Sequence, residues 1–279
     1  IILMFFLLSM NAADSVLQSR GVEHYHPVGT FAFSGFLKPI FEGWNTTALI
    51  AYERLAWWLH ILGILAFAVY VTYSKHLHIF LAFPNTYFSN LEAKGQMANM
   101  PSVTQEVKIM LGLEQPASDA PAEIGRFGAK DIKDLTWKNL MDAYSCTECG
   151  RCTSQCPANL TGKALSPRKI MMDTRDRLEE VGRNMTQNKG QFVDDGKSLY
   201  GDYISAEELR ACTTCNACVQ ECPINISPLD IILQLRRYQI MEESDAPGSW
   251  NAMFSNLENN QAPWKFSPAD RFNWAQKEG

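Results

Sequence analysis

Apolar positions crowd into two stretches of the chain, and polar ones dominate the rest. The first stretch is Ile1-Ile2-Leu3-Met4-Phe5-Phe6-Leu7-Leu8. With Ser9 and Met10 the stretch is ten residues, which as a helix cover about 15 Å, half the apolar thickness of a bilayer. With no basic residues ahead of the run, as a signal peptide would need, it reads as the end of a transmembrane helix. The second stretch is Leu55–Ser74, whose single ionisable group of note is His60. It would span about 30 Å as a helix and is apolar all round, which favours lipid over a soluble core. Trp57 and Trp58 near one end and Tyr70 and Tyr73 near the other suit the two membrane interfaces. The pattern predicts a transmembrane helix over about 50–83, stopped by Pro84.

Between and after these stretches the punctuation changes. Gly and Pro recur through 11–48, predicting a loop with short helical pieces. Residues 85–130, broken by Pro101, Pro116, Pro121, Gly125 and Gly128, read as a linker, with a short helix possible at Val103–Leu111. From about residue 131 helical signals return. Thr136 is placed to cap a helix running to Tyr144, and Ser205-Ala-Glu-Glu208 forms a capping box. Ser166-Pro167 and Ser227-Pro228 each open a further helix. Ile170, Leu178 and Val181 share a face of one, as Leu229, Ile232, Leu233 and Ile240 do of the other. The expected division is a membrane domain over 1–84, the linker, a helical domain over 131–245 and a tail over 246–279. The tail is rich in aromatic residues (Trp250, Phe254, Trp264, Phe266, Phe272, Trp274) and suits docking to a partner or wrapping its own domain.

The helical domain contains a duplication. Cys146-Thr-Glu-Cys-Gly-Arg-Cys-Thr-Ser-Gln-Cys-Pro157 matches Cys212-Thr-Thr-Cys-Asn-Ala-Cys-Val-Gln-Glu-Cys-Pro223, displaced by 66 residues. These motifs hold all 8 cysteines of the chain. Disulfide frameworks scatter their cysteines, and zinc sites use pairs separated by longer gaps, so neither fits a triplet with two-residue gaps plus Cys-Pro. The spacing is that of paired [4Fe–4S] clusters, in which the fourth cysteine of each run reaches the other cluster. That predicts Cys146, Cys149, Cys152 and Cys222 as ligands of one cluster, and Cys212, Cys215, Cys218 and Cys156 as ligands of the other. Clusters of this kind imply a reducing compartment and place the cysteines on the cytoplasmic side of the cell inner membrane. Lysine and arginine do not decide the sidedness, since Lys38 and Arg54 precede the apolar helix and Lys75 and Lys94 follow it.

Charge and other motifs narrow the function. The chain has 25 basic and 30 acidic residues, a net charge of −5, which argues against nucleic-acid binding. Neither a phosphate-binding glycine loop nor a Ser/His/Asp constellation is present, so no catalytic residue is assigned. Arg151 and Lys163, beside the first motif, read as solvated surface charges, with steering of an acidic partner as the alternative. Among the histidines, His60 and His78 stand 18 residues apart, five turns of one continuous helix, and would share a face about 27 Å apart. That suits one axial ligand to each of two b-type haems. The other reading has His78 marking the interface and His60 bonding a neighbouring helix. Opposing haem ligands would have to lie upstream or on another subunit. His24 and His26 read as surface residues.

Residues His60 and Ser74-Lys-His-Leu-His78 resemble the last helix of the haem-b membrane subunits of nitrate reductase and heterodisulfide reductase. The two cysteine motifs resemble the iron–sulfur subunit of heterodisulfide reductase and related anaerobic dehydrogenases. The whole is similar to a heterodisulfide-reductase-like (Fe–S)-binding oxidoreductase anchored in a membrane. This implies a mainly α fold: a transmembrane helix, remnant of a haem-b bundle, followed by an α-helical ferredoxin domain with two [4Fe–4S] clusters. It implies an electron-transfer subunit between haem b or quinone and a soluble partner, either a dehydrogenase or a separate subunit carrying Cys-Cys-Gly motifs, which this sequence lacks. A membrane-anchored iron–sulfur redox sensor is the alternative function.

Overall fold

The computed structural model describes residues 1–115 and 126–276, and among these regular structure is helical, with no strand. Pro116, Pro121 and Gly125 of the expected linker lie outside the described residues, as does the end of the expected tail, 277–279. The chain divides into two compact units, Ile1–Leu77 and His78–Gly279.

The first unit holds α1 (Ile2–Ser19), α2 (Lys38–Glu42) and α3 (Thr46–Thr72). Asn45 starts α3, its side-chain oxygen accepting from the Ala48 N–H at 2.7 Å. Ala12, Ala13, Val16 and Leu17 of α1 are buried with Phe41 and Leu49. Farther along, a Cβ at Gly63 would lie 2.3 Å from Leu3 Cδ2, so the missing side chain is what lets α1 approach α3 there. Glu53 is buried on α3 and accepts a hydrogen bond from the Tyr25 hydroxyl at 3.0 Å. The rest of α3 is laid out differently: Leu62, Leu65, Phe67 and Val69 are exposed. Twenty-seven residues reach about 40 Å. Among the described residues, α1 and α3 are the two helices long and apolar enough to cross a membrane.

α3 does not continue to Phe83. It ends at Thr72, and a separate helix, α4 (Leu77–Tyr87), carries Pro84 in its interior. The break coincides with Ser74, whose hydroxyl bonds back to the Val71 carbonyl at 3.3 Å and accepts from the His76 N–H at 3.3 Å. These side-chain bonds compete with the helical ladder.

In the second unit, the segment expected to be a linker is partly integral. Asn85, fully buried, donates to the Ile224 carbonyl and accepts from Lys138 Nζ, both at 2.9 Å. Phe88 meets the Trp137 ring edge-on at 5.1 Å. α5 (Pro101–Met110) follows the expected short helix. Then come α6 (Trp137–Ser145), α7 (Arg151–Ser154), α8 (Pro157–Leu160), α9 (Pro167–Gln187), α10 (Ala206–Ala211), α11 (Ala217–Gln220), α12 (Pro228–Met241) and α13 (Gly248–Asn260). Ile170 and Val181 of α9 and Ile232 of α12 enter a shared core, with Leu178 packed against it, and Leu229 is buried on α12. Leu233 and Ile240 are half-buried, while Ile231 and Leu235 are buried.

Two devices fasten this core. Arg177, fully buried on α9, donates to both oxygens of Asp131, both of Asp195 and the Lys197 carbonyl. It thereby joins segments 46 and 18 residues away in sequence. Gly128, at φ +75°, lies so close to α12 that a Cβ would sit 2.3 Å from the Gln234 carbonyl oxygen. The Ala129 N–H donates to that same oxygen at 3.0 Å.

Candidate metal centre

The two cysteine motifs fold alike because their flanking signals are alike. α6 is capped by Thr136 with Asn139 in a reciprocal box, and α10 by Ser205 with Glu208. Each helix ends one residue before the first cysteine of its motif. The chain then curls through two left-handed residues at matching positions: Glu148 (φ +56°) and Gly150 (φ +81°) in the first copy, Thr214 (φ +55°) and Asn216 (φ +62°) in the second. Short helices α7 and α11 follow at once. After the motifs, Ser166 and Ser227 cap α9 and α12 with Pro at the first helical position.

This frame gathers the eight cysteines around two pockets. Cys146, Cys149, Cys152 and Cys222 line one, and Cys212, Cys215, Cys218 and Cys156 line the other. Cys218 also reaches the wall of the first. The remaining walls obey the same duplication. Met171, Ile226 and Pro228 line the first pocket where Ile232, Leu165 and Pro167 line the second. All eight cysteines are free thiols, with Cys149 and Cys215 exposed and Cys156 and Cys218 buried. Among the described residues no three His, Cys, Asp or Glu side chains converge tightly enough for a single metal ion.

Electrostatics fits the same purpose. Burial pushes the Cys146, Cys152 and Cys212 thiols above their ordinary value. Cys218 is pushed up to about 12, by burial first and then by its neighbours Cys212, Cys152 and Cys215. Without a cation these groups keep their protons, and bound metal charge would displace them. Backbone N–H groups already point at sulfur: Thr214 N–H to Cys212 Sγ at 3.4 Å and Ile226 N–H to Cys222 Sγ at 3.3 Å. Four soft sulfurs around each mainly apolar pocket, with N–H donors aimed at them, fit a thiolate-held iron–sulfur cluster.

The histidines come together less well. His60 Nδ1 lies 2.9 Å from the Leu3 carbonyl oxygen. His78 stands beyond the break, on α4, so the argument that His60 and His78 share a face of one helix does not hold. His24 and His26 are exposed. Three residues with consequences for the site carry little or no signal in the sequence. Arg168 lines the first pocket, Asn85 holds the Ile224 carbonyl beside it, and Arg177 braces the domain. Only Arg168 had a local signal, its place two residues after the capping Ser166.

Residues 145–226 match the family model of the 4Fe-4S dicluster domain. The "Probable iron-sulfur-binding oxidoreductase FadF" of Bacillus subtilis is 31% identical over 303 residues, covering 98% of this chain and 39% of the relative. The "EtfAB:quinone oxidoreductase" of Syntrophomonas wolfei is 29% identical over 265 residues, 88% of this chain and 34% of the relative. The "Probable membrane-anchored ferredoxin" of Chromohalobacter salexigens is 33% identical over 179 residues, 58% of this chain and 25% of the relative. Subunits of CoB–CoM heterodisulfide reductases from Methanosarcina mazei also match. No solved structure matches. The chain thus carries a 4Fe-4S dicluster domain and is related to iron–sulfur oxidoreductases, spanning 39% or less of the length of the three relatives given with figures.

Proposed function

We propose that this relative of iron–sulfur oxidoreductases is an electron-transfer component linking a membrane quinone, or haem b, to a soluble catalytic partner. In this reading Cys146, Cys149, Cys152 and Cys222 hold one [4Fe–4S] cluster, and Cys212, Cys215, Cys218 and Cys156 hold the other. When bound, each cluster supplies reversible one-electron transfer. The observation that carries the reading is the crossed lining of the two pockets, with Cys218 at the wall of both.

The chain's own groups divide the work. The eight sulfurs hold and insulate, while the Thr214 and Ile226 N–H groups offset negative charge on Cys212 and Cys222. Leu165, Ile226 and Ile232 keep water from the pocket walls. α1 and α3 anchor the chain, and the dicluster unit faces the cytoplasm. The match to a quinone oxidoreductase supports quinone as the membrane reactant. The partner is a dehydrogenase or a subunit bearing Cys-Cys-Gly motifs. His60 and His78 remain the candidate haem b ligands. The bond to Leu3 favours His60, because a ring that donates through Nδ1 to a carbonyl presents Nε2 to a metal.

The test reduces the membrane-bound chain with dithionite and adds a soluble quinone analogue. Rapid re-oxidation supports electron transfer. Clusters that stay reduced would favour the redox sensor instead. A pyridine haemochrome spectrum of the parent and of His60→Ala decides the haem assignment.

A further inference from the structure

The duplication that makes the two pockets alike also exposes where they differ. The second pocket, which opens at the exposed Cys215, has no charged residue in its lining. The first opens at the exposed Cys149 and is lined by Arg151 and Arg168. The matching positions in the second copy are Ala217 and Leu229. Both arginines are exposed; the hydrogen bonds they make among the described residues are through the Arg151 carbonyl and the Arg168 backbone N–H, not through either guanidinium. Arg168 Nη1 lies over the motif loop, 3.9 Å from where a Cβ on Gly150 would be. The acidic residue in the same lining, Glu148, is paired with Arg175 at 2.8 Å. Beside the negative charge that its four thiolates would carry with a cluster bound, the first pocket therefore presents two guanidinium charges that no side chain of the described residues pairs, on a chain whose net charge is −5.

A solvated arginine on a surface ordinarily contributes little to stability, and these two brace nothing. Charges of one sign at the mouth of a redox site act on encounter instead, raising association with the opposite sign and discouraging the same sign. An acidic protein is repelled by the chain as a whole, so attraction has to be local, and Arg151 with Arg168 supplies it at one pocket only.

We propose that the mouth of the Cys149 pocket is the docking surface for an acidic patch on the soluble electron-transfer partner, with Arg151 and Arg168 as the recognition pair. This rests on the electron-transfer reading. It assigns the first cluster pocket, not the second, to exchange with the soluble side.

The experiment uses the full cluster-loaded chain in detergent, reduced with dithionite. Re-oxidation is followed with three oxidants: the anionic Fe(III)–EDTA, the cationic hexaammineruthenium(III), and a purified acidic flavodoxin. Arg151→Ala/Arg168→Leu, which installs the residues of the second copy, is compared with Arg151→Lys/Arg168→Lys. The first variant is expected to slow the anionic reagent and the flavodoxin about tenfold at low ionic strength and to abolish most of their salt dependence. The cationic reagent should react equally fast or faster, and the lysine variant should keep the parent's rates. A change in driving force would move the anionic and cationic reagents in one direction. That result, or unchanged rates with all three, would overturn the proposal. Re-oxidation of the dithionite-reduced parent by a soluble quinone analogue reports separately on the electron-transfer reading, and a parent that stays reduced would overturn both.

Discussion

Cys156 and Cys222 hold equivalent positions in the two motifs, yet each lines the pocket built by the other motif. The halves of the domain are therefore interlocked, and loss of one cysteine should not respect the boundary between them. Cys146→Ser combined with Cys222→Ser should remove a single cluster, leaving about four iron atoms per chain. Cys146→Ser combined with Cys156→Ser should remove both. Iron analysis with EPR checks this, and the reverse pattern would mean that each motif keeps its own fourth cysteine.

Arg177 has no exposed surface and answers two carboxylates. Arg177→Leu leaves Asp131 and Asp195 without their cation and should cost about 3–5 kcal/mol. Thermal unfolding followed by circular dichroism, at equal cluster occupancy, measures it. A change within experimental error would remove this network from the account of the fold.

The same network sets a pH dependence. Its hydrogen bonds with Arg177 hold the Asp195 carboxyl down at about 2, against about 3.9 for an unperturbed aspartate. A depressed carboxylate contributes stability above its unfolded value and loses it as the pH falls towards the folded one. The melting temperature of the parent should exceed that of Asp195→Asn by a constant margin at pH 6 and above. The margin should narrow from about pH 4.5 down to pH 3. Taking the difference between the two proteins cancels acid effects on the clusters themselves.

Gly128 and Gly162 share a left-handed backbone but not its surroundings. A Cβ at Gly162 meets nothing within 4 Å, whereas one at Gly128 strikes α12. Gly162→Ala should cost about 1–2 kcal/mol for the conformation alone. Gly128→Ala should cost about 1–3 kcal/mol more, because the neighbouring backbone has to shift. Equal melting temperatures would contradict the close approach.

Leu65 lies in the apolar stretch of α3 and is 58% exposed, as a lipid-facing residue should be. Leu65→Arg should cost about 3 kcal/mol on insertion and reduce the fraction of chain retained in carbonate-washed membranes. Full retention would argue that α3 does not lie in lipid.

Much of this was legible in the sequence because the determinants are local. The cysteine spacing, the Ser-Pro caps and the capping box at Ser205 act within four residues, and each recurs in the structure as read. The apolar run of α3 was equally plain, but its end was not. Only the short polar run Ser74-Lys-His76 separates the apolar residues of α3 from those of α4, and the helix breaks there, where Ser74 bonds back to Val71. Long-range partners were invisible for the same reason. Arg177 sits on a polar helix like any surface arginine until Asp131 and Asp195 arrive from elsewhere. Asn85 reads as the start of a linker until Ile224 and Lys138 close over it. The aromatic tail is plain in the sequence, while α13 within it has no side-chain cap to announce it.

In the proposed reading the two four-cysteine pockets hold two iron–sulfur clusters. Anaerobic purification followed by iron, acid-labile sulfide and zinc analysis tests it most directly. About eight iron and eight sulfide per chain are expected, with an EPR signal of two interacting clusters on reduction. Stoichiometric zinc without sulfide would contradict it.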